Sequence, residues 1–227
     1  MKPLDIAHAY NKLTHLWTDS GFNLNNGIVQ HERALSFLKH KVKPSPSTNR
    51  TQNPHQDSSA NTLRGLDVGC GCTGRLTDLL LQQGFAVTGL DISSEMIRLA
   101  KQYYAGKQDK ARVSFIEADI CQMPLHEQYD FISAWDSIWH IPLQSQQQVI
   151  SHLVTSLKPG GVLIFSFGGT TEAGEHVDDA MGQAVYYSSL GTQGFIDLVS
   201  ELGCQLRHLE FDQHPELHAY MIVEKVA

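Results

Sequence analysis

The chain has 227 residues, 41% of them hydrophobic and 18% charged, proportions that suit a soluble globular protein with a substantial core. Seventeen Lys and Arg against 24 Asp and Glu give a formal charge of -7, which argues against a nucleic-acid partner, since a phosphate-tracking surface needs a basic face to release counterions. Apolar runs all fall short of the roughly 20 residues that cross a bilayer, and the N-terminal MKPLDIAHAYNKL lacks the basic-then-apolar layout of a signal peptide. A cytoplasmic protein with no membrane partner is expected.

In chain order, 4–17 places Ile6, Ala9, Tyr10, Leu13 and Trp17 at helical spacing, and a second helix is predicted over about 30–40 with Ala34, Leu35 and Leu38 on one face. The stretch 43–62, KPSPSTNRTQNPHQDSSANT, has no large apolar residue and is expected to be a mobile linker, because it cannot bury enough surface to offset its ordering entropy. Residues 1–42 are then expected to form an N-terminal helical cap, appended to a main domain over 63–227.

Beyond the linker the pattern alternates strand and helix. Strands are predicted over 63–68, 85–90, 113–118, 129–135 and 162–167, the last almost wholly apolar, as at the centre of a parallel sheet. Helices are predicted over 73–83, from Ser93 or Ser94 as cap to about Tyr104, along the Val149–Leu157 stripe, and over 192–202. A polar loop over 168–190 reads as a lid insertion, and strands at about 204–211 and 218–225 should pair as an antiparallel hairpin. Such alternation implies a parallel sheet with helices on both faces and a ligand site beyond the strand C-termini.

The chemistry concentrates in Asp67-Val68-Gly69-Cys70-Gly71-Cys72-Thr73-Gly74, between the first strand and its helix. Glycines there allow a tight turn and close approach of a ligand to the backbone. Asp91 ends the second strand, where a carboxylate accepts both hydroxyls of a ribose. Asp119 follows the third, where a carboxylate can take an adenine amino group. An adenosine site results. Asp67 would repel the pyrophosphate of a dinucleotide and suits a ligand carrying an ammonium and a sulfonium. Four cysteines (Cys70, Cys72, Cys121 and Cys204) are too few and too scattered for a disulfide framework, and the Cys70–Cys72 spacing suits neither a zinc knuckle nor a redox pair. Reduced thiols are expected.

The segments LDVGCGCTGR, GLDIS, EADI, YDFISAWDSIWHIP and LKPGGVLIFSF, in this order and spacing, resemble class I S-adenosylmethionine-dependent methyltransferases. The resemblance covers about 63–167, and the terminal helix and hairpin agree with it. It implies a doubly wound, mostly parallel seven-stranded sheet, Rossmann-like, with an antiparallel last strand, and S-adenosylmethionine as cofactor. By similarity, Gly69, Gly71 and the loop backbone would cradle the methionine end, with Asp67 near its amino group. Asp91, with Ile92 beside it, would hold the ribose, and Asp119 with the Ile120 amide would read the adenine. Cys72 departs from the small or acidic residue usual at that position; its thiol either lines the cofactor site or packs.

Catalytic candidates lie after the fourth strand, in AWDSIWHIP. His140, whose unperturbed pKa is near neutrality, is either a general base or a structural histidine satisfied by a carbonyl. Asp136 either orients the histidine or an acceptor amine, or caps a turn. Trp135 either faces the sulfonium or packs. Tyr10, Trp17, Trp139, His176 and Tyr186 are candidate substrate or lid residues. His176 with Asp178 or Asp179 lacks a second histidine at ligand spacing, so no metal site is expected. The expected activity is methyl transfer to an O or N nucleophile of a small molecule. An NAD(P)-dependent oxidoreductase and a catalytically inactive cofactor-binding module are the alternatives.

Overall fold

The computed structural model describes residues 2–38 and 62–226; the linker expected over 43–62 lies outside the described residues but for Thr62. The N-terminal segment forms helices α1 (Pro3–Leu13), α2 (His15–Thr18) and α3 (Ile28–Ser36). Then follow β1 (Arg64–Val68), α4 (Arg75–Gln82), β2 (Ala86–Asp91), α5 (Ser94–Tyr104), β3 (Val113–Glu117), β4 (Tyr129–Ala134), α6 (Leu143–Thr155) and β5 (Leu157–Gly168). The chain continues through β6 (Gly174–Asp178), β7 (Val185–Ser189), α7 (Gly191–Glu201), β8 (Cys204–Phe211) and β9 (His218–Lys225).

Seven strands form one sheet in the order β3-β2-β1-β4-β5-β9-β8. β1 through β5 pair in parallel. β9 runs antiparallel to both of its neighbours, β5 and β8. The seven-stranded, mostly parallel architecture with an antiparallel last strand is the one the sequence implies. The strand order reverses at β1, which pairs with β2 on one side and β4 on the other, so connections leave in opposite directions and open a crevice above these strand ends.

Alternation within the buried strands builds two cores. Leu163, Phe165 and Phe167 of β5 and Ala219, Met221 and Val223 of β9 join α6 and α7 on one face. Val162, Ile164, Tyr220 and Ile222 point to the other face, where Leu76, Leu79 and Leu80 of α4 pack with Ala34, Leu35 and Leu38. All six residues of β4 are buried, as a central parallel strand requires. α3 is therefore part of the main core rather than an appendage. It starts after Gly27, whose left-handed φ of 85° brings the backbone against the Trp135 indole; a Cβ there would lie 2.9 Å from Nε1. α5 begins as its sequence indicates, with the Ser93 side chain accepting from the Met96 amide.

The predicted loop over 168–190 contains the separate two-stranded ribbon β6–β7. Every residue of β6 is exposed, so it carries no hydrophobic alternation for sequence reasoning to detect. Val185 and Tyr186 of β7 pack against Ile6, Ala9 and Leu13 of α1, forming a third small core over the crevice. Among the described residues, no helix is long and apolar enough to cross a membrane.

Candidate functional site

A cavity of about 350 Å³ opens above the C-terminal ends of β1, β2 and β4, bounded by the glycine turn below and by α1, the α2–α3 connection and β7 above. The turn is shaped by backbone demands. Gly69 has φ 71°, and a Cβ on it would lie 2.2 Å from Cβ of Ser137, so the β4 loop closes directly over it. Gly71 has φ 58° with open space where a Cβ would stand, and its amide donates to Oδ2 of Asp91 at 2.9 Å. The amides of Gly69 and Cys70 both donate to the Leu90 carbonyl. Turn and second strand are thus tied into one unit.

Gly69, Gly71, Asp91, Ile92, Asp119, Ile120 and Trp135 all line the cavity. Oδ1 of Asp91 accepts the Ser93 amide at 2.8 Å. Burial raises the Asp91 pKa, with the Ser93, Gly71 and Ile92 amides opposing that rise. Asp119 accepts the Cys121 amide and the Gln122 side chain, which orients its carboxylate at the far end of the site. Asp67 differs from its expected place. It does not line the cavity but lies buried behind the turn, where Thr77 Oγ1 donates to it at 3.1 Å. Burial raises its carboxyl to about 6. Cys72 is buried and Cys70 lines the cavity.

Asp136 and His140, in the segment after β4, also line the cavity. His140 has both ring nitrogens engaged. Trp139 Nε1 donates to its Nε2 at 2.8 Å, and the Tyr10 hydroxyl lies 2.6 Å from the same nitrogen. Nε2 is therefore an acceptor, and Nδ1 donates to the Tyr186 carbonyl at 2.9 Å. Burial lowers this imidazole to about 4, against the Tyr186 hydrogen bond and the Asp136 charge. The ring is neutral and joins α1, the β4 loop and β7.

Asp136 is held in a left-handed backbone conformation, φ 51°, by the Ser166 hydroxyl, which accepts its amide at 2.7 Å. Its carboxylate takes Asn26 Nδ2 at 3.1 Å, His218 Nε2 at 3.1 Å and Arg75 at 3.4 Å. Burial opposes its ionisation, but His218 and Arg75 outweigh that and hold its pKa below the ordinary value. His218, the first residue of β9, sits at this end of the sheet because it pairs with Gly168. Its Nδ1 is hydrogen-bonded to Oδ1 of Asp212.

Tyr10, Trp17 and Trp139 line the cavity, whereas His176 and Tyr186 do not. His176 is exposed and stacks on Tyr187, which itself lines the cavity. The Tyr186 hydroxyl donates to Glu175 and accepts the Leu143 amide. Sequence reasoning missed Phe22, Asn26, Arg75 and His218. Arg75 directly follows the glycine turn, and His218 heads the apolar run 219–223 of β9; those were the available signals. The Arg75 guanidinium lies over the Phe22 ring, and its Nη1 is buried with no hydrogen-bond partner, as is Ser137 Oγ beside the turn.

Comparison with known proteins agrees with this arrangement. Residues 66–165 match the model of the methyltransferase domain family. A ubiquinone biosynthesis O-methyltransferase of Hydrogenovibrio crunogenus is 28% identical over 157 residues, 69% of this chain and 57% of that protein. A malonyl-acyl-carrier-protein O-methyltransferase of Priestia megaterium is 34% identical over 161 residues, 66% of this chain and 55% of that protein. The chain thus spans little more than half the length of these curated relatives. A solved magnesium protoporphyrin IX methyltransferase from Synechocystis PCC 6803, with bound S-adenosylmethionine, superposes with a TM-score of 0.65 at 19% identity, covering 98% of this chain and 96% of that one. Sheet order and glycine turn agree with the match of residues 66–165 to the methyltransferase domain.

Proposed function

We propose that this protein transfers the methyl group of S-adenosylmethionine to an oxygen or nitrogen of a small molecule. The observation that carries the reading is one cavity lined together by the glycine turn, Asp91, Asp119 and Asp136. Asp91 would hold the ribose hydroxyls and Asp119, with the Ile120 amide, the adenine. The unpartnered Nη1 of Arg75 and Oγ of Ser137 fit the polar methionine end, and the open side of Gly71 leaves room for it. When bound, the cofactor supplies an electrophilic methyl group on a positively charged sulfur. Asp91, Asp119 and Asp136 make the wall favourable to that charge and unfavourable to a pyrophosphate. Asp67, buried behind the turn, adds a negative field at its back.

Positioning then carries most of the catalysis, of order 7–11 kcal/mol when two reactants are held in line. α1, Trp17 and β7 roof the cavity. Asp136 is the polar group on the acceptor side, and His140 serves this reading as a fixed post rather than as the base. The two relatives named above, both O-methyltransferases, support an oxygen acceptor among the choices. Isothermal titration calorimetry with S-adenosylhomocysteine tests the reading: a dissociation constant of order micromolar is expected, and no binding would end it.

A further inference from the structure

Resting on the methyl-transfer reading, we infer that the methyl acceptor is a carboxylate and the product a methyl ester, because no described side chain lining the cavity is free to take a proton. A hydroxyl, or an amine that is an ammonium ion at neutral pH, must give up a proton before or as it gains the methyl group. A base with an open lone pair then has to stand within hydrogen-bond reach of it. A carboxylate is already ionised at neutral pH and needs no base.

Each titratable side chain of the cavity is committed elsewhere. His140 turns Nε2 to two donors, the Trp139 indole and the Tyr10 hydroxyl, and its Nδ1 donates to the Tyr186 carbonyl. His218 faces a carboxylate with each ring nitrogen, Asp136 from Nε2 at 3.1 Å and Asp212 from Nδ1, so both nitrogens hold protons and the ring is an imidazolium. Burial works against that charge, but the two carboxylates outweigh it and raise its pKa. Asp136 is surrounded by donors, with His218 and the Ser166 hydroxyl at Oδ1 and Asn26 and Arg75 at Oδ2. Burial opposes its ionisation, but His218 and Arg75 hold its pKa low, which makes it a weak base. Burial raises Tyr10, Tyr187 and the Cys70 thiol, so all three stay protonated. Asp91 and Asp119 stand at the end of the cavity read as the ribose and adenine site.

The charges around Asp136 also admit an anion. Arg75 and the His218 imidazolium offset Asp136 and Asp212, so this side of the cavity carries no uncompensated negative charge. A carboxylate about 4 Å from the sulfonium is then attracted to it by about 4 kcal/mol at an effective dielectric constant of about 20, an attraction that an uncharged hydroxyl lacks. Neutral donors stand by: Asn26 Nδ2 has a second N–H beyond the one given to Asp136, and the Gln213 carboxamide, also in the cavity wall, hydrogen-bonds to no described residue. Trp17, Phe22 and Trp139 leave the neighbouring wall apolar for the body of a small acid. In the transfer, a lone pair of the carboxylate oxygen forms the bond to the methyl carbon, and the breaking S–C bond leaves its pair on sulfur. Anion and sulfonium become ester and thioether, and no proton moves.

The probe is 4-hydroxyphenylacetate, which offers a carboxylate at one end and a ring hydroxyl at the other, with 4-hydroxyphenylacetamide as its uncharged counterpart. In protein loaded with sinefungin, an S-adenosylmethionine analogue with an ammonium group in place of the methylsulfonium, calorimetry should show the carboxylate bound about tenfold tighter than the amide or better. With S-adenosylmethionine carrying a radioactive methyl group, mild alkali should release the transferred label as methanol, as it does from an ester and not from an aryl ether. An amide bound as tightly as the carboxylate, label that alkali does not release, or no labelled product overturns the proposal. S-adenosylhomocysteine binding by the unloaded protein is measured alongside. Its absence ends the methyl-transfer reading itself; its presence with any of those three results ends the carboxylate acceptor alone.

Discussion

Oδ1 of Asn11 accepts the Ser93 hydroxyl at 2.6 Å and the Glu95 amide at 3.1 Å, so a side chain of α1 caps the first turn of α5 from outside. The same Ser93 gives its amide to Asp91, the expected ribose carboxylate. The roof of the cavity is therefore latched onto its cofactor edge. Asn11→Ala removes these hydrogen bonds, worth about 1–2 kcal/mol together. Faster amide hydrogen exchange in α1 and an S-adenosylhomocysteine affinity weakened about threefold to tenfold are expected, with α6 and α7 unaffected.

Arg75 is the cation proposed for the methionine end of the site, and its buried Nη1 lacks a partner. A charge-assisted hydrogen bond is worth about 1.5–3 kcal/mol. Arg75→Met is predicted to weaken S-adenosylhomocysteine binding by at least tenfold in calorimetry while leaving the affinity for adenosine nearly unchanged, because adenosine has no carboxylate. Equal losses for both ligands would contradict this role.

His31 and His140 give the fold a pH dependence whose sign can be worked out. Both are lowered from 6.5 to about 4 by burial, so between these values the unfolded chain binds protons that the folded one does not. Their contribution is complete above about pH 6.5 and is lost as pH falls toward 4, by about 2 kcal/mol each at pH 5. The loss of stability from pH 7 to pH 5 should be smaller in His140→Gln than in the wild type by about 2 kcal/mol, read from denaturant midpoints at the two pH values.

Asp67 works in the opposite sense. Its carboxyl is raised from 3.8 to about 6 by burial, so its protonated form stabilises the fold in acid and that contribution is lost as pH rises through about 6. Asp67→Asn keeps an oxygen for Thr77 and removes a desolvated charge. A melting temperature a few degrees higher at pH 8, with little change at pH 4, is expected. A lower melting temperature at pH 8 would show that the charge itself is needed by the fold.

The strands, the glycine turn, Asp91 and Asp119 were legible because each belongs to a contiguous segment whose spacing reflects a local demand: a tight turn, a strand end, a helix cap. Asp136 and His140 were legible as neighbours of a strand end, but not in their roles. Tyr10, 130 residues away in sequence, and the Tyr186 carbonyl of β7 engage the His140 ring, as in the carbonyl-satisfied alternative that the sequence left open. Asn26, Arg75 and His218 come from three separate places and meet round Asp136 only in the fold, with Asp212 behind His218 across the β8–β9 turn. The β6–β7 ribbon went unseen because β6 is exposed throughout and stands out from loop by no pattern. The packing of α3 into the main core was equally hidden, since the polar stretch after it looked like a boundary.

The central claim is that the crevice above β1 and β2 receives an adenosine whose ribose is held by Asp91. Calorimetric titration of S-adenosylhomocysteine into the wild type and Asp91→Ala tests it most directly. Micromolar-range binding by the wild type and a loss of about a hundredfold or more in the variant are predicted, as expected when charge-assisted hydrogen bonds to two hydroxyls disappear. No binding by the wild type, or an unchanged affinity in Asp91→Ala, would contradict it.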